Sequence, residues 1–98
     1  MNIEKVISGT ETTLHISGRL DTTTAPALEA AVTEVTGGCD TLVLDLAGLE
    51  YISSAGLRVI LKAQKTMMAK GGMKVLHVNE TIMEIFEITG FSDILVIE

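Results

Sequence analysis

Two serines stand side by side in YISSAGLRVI, ahead of a small residue, a glycine and an apolar run. Hydroxyls at this position have two uses. One is to cap a helix, by accepting a hydrogen bond from an amide of its first turn. The other is to carry a phosphate. Unpaired amides and the positive end of the helix dipole favour an anion there, and phosphorylation adds about −1.5 to −2 charges. Ala55 and Gly56 leave a hydroxyl accessible to a partner. The local pattern predicts a cap from either Ser53 or Ser54.

Other chemistry is sparse. His15 and His77 fall in predicted strands, with no Cys, Asp or Glu nearby at ligand spacing, so both read as structural or surface residues. No P-loop, GxGxxG or GxSxG can be read anywhere in the chain. The carboxylates are spread over solvated helix faces, and the methionines suit a core. Cys39 is the only cysteine, which excludes an internal disulfide and argues against a Cys-based metal site. These features predict a protein that is not an enzyme and holds no metal or cofactor.

The elements that must position the serines follow from periodicity and punctuation. Residues 2–7 and 11–17 read as a hairpin, with Leu14 and Ile16 on one face and His15 on the other. Pro26 opens a helix that a preceding threonine can cap, with Ala25, Leu28, Val32 and Val35 inward and Gly37 as its stop. TLVLDL (41–46) reads as a strand covered on both faces, followed by a loop, AGLEYIS. A second helix starts near Ser54 and ends at Gly71, with Leu57, Ile60, Leu61, Gln64, Met67 and Met68 as its inner stripe. MKVLHV (73–78) is a strand, Asn79 caps a third helix closed by Gly90, and ILVIE (94–98) is a last strand. The order β-β-α-β-α-β-α-β predicts an α/β fold: a mixed, mostly parallel sheet of about five strands with helical cover.

Composition narrows the function. The 98 residues fit one domain, and a hydrophobic content of 47% supplies an aliphatic core with no Trp. Thirteen acidic residues against seven basic ones give −6, which argues against nucleic acid and favours a basic protein surface as partner. No signal segment opens the chain and no apolar run reaches membrane-spanning length, so a cytoplasmic protein without membrane insertion is predicted.

LVLDLAGLEYISSAGLRVILKA resembles the signature of STAS domains, the anti-sigma factor antagonist family. ISGRLDTTTAPAL is similar to a second stretch of that family, and the element order agrees over the whole of residues 1–98. The resemblance implies a phosphorylation-switched regulator of transcription. Such an antagonist binds an anti-sigma factor serine kinase, frees a sigma factor, is phosphorylated by that kinase and is reset by a serine phosphatase. It places the phosphorylated serine on Ser54, with Ser53 as second choice, and the loop acid on Asp21. Docking is then expected at Asp21, Thr22, Ser53, Ala55, Gly56, Leu57 and Arg58. Asp21 also has a plain use as a turn residue. One position departs: Ser53 stands where the family has aspartate. The alternative function is a STAS scaffold subunit of a membrane lipid transporter or other assembly, without a phospho-switch.

Overall fold

A computed structural model describes residues 1–98. Its elements are β1 (Asn2–Ser8), β2 (Glu11–Leu20), α1 (Ala25–Thr36), β3 (Thr41–Ile52), α2 (Ser54–Met68), β4 (Met73–Leu76), α3 (Glu80–Thr89), a single 3-10 turn (Phe91–Asp93) and β5 (Val96–Ile97). The five strands form one sheet in chain order, with β1 antiparallel to β2 and the rest parallel. This is the predicted mixed α/β architecture. Each parallel crossover reaches the adjacent strand, and right-handed connections of that kind put α1, α2 and α3 on one face of the sheet. The core accordingly joins one alternate set of strand residues (Leu14, Ile16, Leu42, Leu44, Leu46, Val75) to buried residues of all three helices.

The largest departure from the sequence reading lies in AGLEYIS. It is not a loop: β3 runs on to Ile52, and Gly48–Ile52 pairs with an equally extended end of β2 through two register shifts. Leu49 and Ile52 turn inward there and are almost wholly buried, which rewards continued pairing over a loop. The extension carries the start of α2 well past the end of β4.

Smaller differences have local causes. Thr24 precedes α1, but its hydroxyl donates to the Arg19 carbonyl and accepts from the Asp21 amide instead of capping the helix. Met68, expected inward, is exposed, while Val59 and Ala63 are buried because α2 also packs against α1. Gly72, not Gly71, takes the left-handed conformation that closes α2, and its amide donates to the Met67 carbonyl at 3.0 Å. β4 stops at Leu76 because His77 adopts φ +57°. ILVIE contributes only two residues to the sheet, since the chain is still turning at Ile94.

Asn79 caps α3 as predicted: its Oδ1 accepts from the Ile82 amide at 2.9 Å. Its Nδ2 also donates to the Leu49 carbonyl at 2.7 Å, which fastens the extended part of β3 where β4 no longer reaches it. Asn79→Ala loses both bonds and should cost about 1–3 kcal/mol in urea unfolding. Asn79→Asp keeps the cap but sets a carboxylate against a carbonyl, so it should recover only part of that loss.

Candidate functional site

The site is the corner where β2 and β3 end together and α2 begins. Ser53 has an extended backbone, and its amide donates to the Leu20 carbonyl at 2.9 Å. Its Oγ accepts from the Gly56 amide at 3.4 Å, so Ser53 is the cap. Ser54 is the first helical residue, is exposed and takes no part in capping. The two serines, equivalent in the local pattern, thus have separate roles.

Gly56 is what lets the helix sit so close. A Cβ there would lie 2.5 Å from Leu20 Cγ and 3.0 Å from Ile52 Cγ1. Gly56 and Leu57 were expected at the docking surface, and both are buried. They anchor the corner from below, because the helix face they occupy points onto the strand ends.

The chain leaves Leu20 into the Asp21 loop. Asp21 Oδ1 accepts from the Thr23 hydroxyl at 2.7 Å, the Thr23 amide at 3.0 Å and the Thr24 amide at 3.1 Å. The Thr23 hydroxyl leads these bonds in holding the Asp21 carboxyl below its ordinary value. The carboxylate therefore shapes the turn before α1 and presents exposed Thr22 beside α2. Arg19 lies over the Tyr51 ring at 4.3 Å and stiffens the same pair of strand ends.

A groove of about 270 Å³ runs between α1 and α2, with Thr22, Ala55 and Arg58 at its walls. Lys62 Nζ crosses it to Glu29 at 2.7 Å. Charge is strongly segregated here. Residues 51–79 contain no Asp or Glu but hold Arg58, Lys62, Lys65, Lys70 and Lys74, five of the seven Lys and Arg. Lys65, Lys70 and Lys74 lie at or beyond the far end of α2, so Arg58 is the cation of this stretch that stands within a turn of the corner. Net charge alone does not describe what a partner meets there.

The sequence reading missed one constellation. His15 Nδ1 and His77 Nδ1 each lie 3.0 Å from Asp45, on opposite carboxylate oxygens. Burial raises the Asp45 pKa, but the Ala47 amide and His77 outweigh it and the carboxyl stays below its ordinary value. The cluster ties β2, β3 and the residue that follows β4 together at the first register shift. Alternation could have placed His15 and Asp45 on the outer sheet face. The parallel register that makes them neighbours is set by packing.

The STAS domain family model matches residues 2–98. The chain belongs to the STAS domain family. BtrV of Bordetella bronchiseptica is 38% identical over 81 residues, 81% of this chain and 70% of that protein. The anti-sigma-B factor antagonist of Listeria monocytogenes is 34% identical, spanning 87% of this chain and 76% of its own. That of Bacillus subtilis is 30% identical, spanning 97% and 88%. Among solved structures, an anti-sigma factor antagonist from Mycobacterium paratuberculosis has the same fold, with a TM-score of 0.90 at 24% identity over 98% of this chain and 83% of that one. Bacillus SpoIIAA in its phosphorylated form gives 0.77 at 16% identity, over 99% and 91%.

In this STAS domain the corner geometry makes graded predictions. Gly56→Ala forces Leu20 and Ile52 apart and should cost about 1–3 kcal/mol in urea unfolding. Ser53→Ala should cost about 0.5–1 kcal/mol, the low end for a cap. Ser54→Ala should stay within about 0.5 kcal/mol of the parent. Asp21 has a lowered folded pKa, so its contribution is present above the ordinary 3.8 and is lost as pH falls below it. Asp21→Asn should therefore flatten the acid limb of stability below about pH 4, measured by urea unfolding across pH.

Proposed function

We propose that this STAS domain is an anti-sigma factor antagonist, a regulatory binding protein switched by phosphorylation of Ser54. It docks through the start of α2 and the Thr22 loop onto an anti-sigma factor that is also a serine kinase, and so releases a sigma factor. In the reverse step the γ-phosphoryl of ATP passes to Ser54 Oγ, the hydroxyl proton is lost and ADP leaves. A serine phosphatase hydrolyses the ester and restores the docking form.

One observation carries the reading: Ser53 caps α2 and leaves Ser54 exposed at the first helical position. The hydroxyl can be modified without removing the cap. A phosphate there is favoured by the helix dipole, so the helix survives while charge and bulk at the docking corner change. The departure from the family pattern at Ser53 is then mild, because serine caps as aspartate would. The names of the Listeria and Bacillus relatives and the phosphorylated form recorded for SpoIIAA support the same reading.

The test mixes the purified protein with the anti-sigma kinase of its own genome and ATP. Mass spectrometry should find one phosphate, on Ser54, that Ser53→Ala retains and Ser54→Ala loses. The phosphorylated protein should bind the kinase at least about tenfold more weakly, as expected when added charge and bulk enter an interface. A phosphate on Ser53, or unchanged affinity, rejects the Ser54 switch.

A further inference from the structure

We propose that Arg58 is the counter-ion of the Ser54 phosphate and draws it into the mouth of the groove between α1 and α2. The inference rests on the Ser54 switch and adds how the modified side chain is held.

Three observations converge on Arg58. First, it lies four residues after Ser54 on a regular helix, so the two are surface neighbours one turn apart. Helical side chains lean toward the N-terminus, which lays Arg58 over the turn that Ser54 begins. Second, Arg58 is exposed and forms no ion pair, whereas Lys62 is engaged by Glu29 and Arg19 by Tyr51 and Asp21. Glu29, across the groove on α1, is the one carboxylate that lines it with Arg58, and Lys62 holds it at 2.7 Å. Third, Arg58 lines the groove together with Thr22 and Ala55, next to the docking corner.

An arginine suits this task better than a lysine. Its planar fork meets two phosphate oxygens at once and keeps its charge at all working pH values. Held this way, the phosphate leans across Ala55 toward Thr22 and covers the groove mouth. The modification then acts by shape as well as by charge, and the cation nearest the site no longer faces a partner.

The clamp can be read without any kinase. Phosphoserine is installed at position 54 during translation, and its second ionisation is followed by 31P NMR in the parent, Arg58→Lys and Arg58→Gln. An exposed ion pair should hold the parent's phosphate pKa roughly half a unit below that of Arg58→Gln. Arg58→Lys should fall between them, and 1 M NaCl should shrink the difference. Identical titrations in the parent and Arg58→Gln overturn the clamp. A kinase that ignores Ser54 in the unmodified protein overturns the proposed switch instead, while the NMR comparison still decides the clamp.

Discussion

The close seat of α2 on the strand ends is the contact on which the rest of the corner depends. Gly56 leaves no atom between the helix and Leu20 or Ile52, and the Ser53 amide closes onto the Leu20 carbonyl. A side chain at Gly56 would lift the first turn off the sheet. The cap, the exposure of Ser54 and the distance from α2 to the Asp21 loop would all change with it. Leu20 is the hinge of this arrangement: its side chain lies under Gly56, its carbonyl holds Ser53, and the next residue opens the turn that Asp21 shapes.

That seat exists only because β2 and β3 both continue past β4. The register shifts between His15 and Ser17 and between Gly18 and Arg19 let the strands stay paired out to Leu20 and Ile52. Three sets of contacts brace the projecting pair. Asp45 sits between two imidazoles at its base, Asn79 holds the Leu49 carbonyl along its free edge, and Arg19 covers Tyr51 near its tip. A rigid projection suits a docking element, since little ordering entropy remains to be lost on binding.

Charge is segregated along the chain. The chain as a whole is acidic, but the stretch from Tyr51 to Asn79 carries cations alone. A phosphate added to Ser54 enters a field that favours it through the helix dipole and the neighbouring Arg58.

By itself the sequence determined the elements, their order, the inward faces of α1 and α3, the Asn79 cap and the family motif around Ser54. These are local properties: a hydrophobic period, a capping residue and a breaker act within a few residues. It left the two serines equivalent, because either could cap a helix starting within one residue of the other. Tertiary structure chose Ser53, since pairing of β3 with β2 carries the extended backbone through Ile52 and fixes where the helix starts. Packing also turned an apparent loop into strand, buried Gly56 and Leu57, and brought His15, Asp45 and His77 together from positions far apart in the chain. Each depends on the register between strands, which the inner faces settle jointly and no single segment encodes.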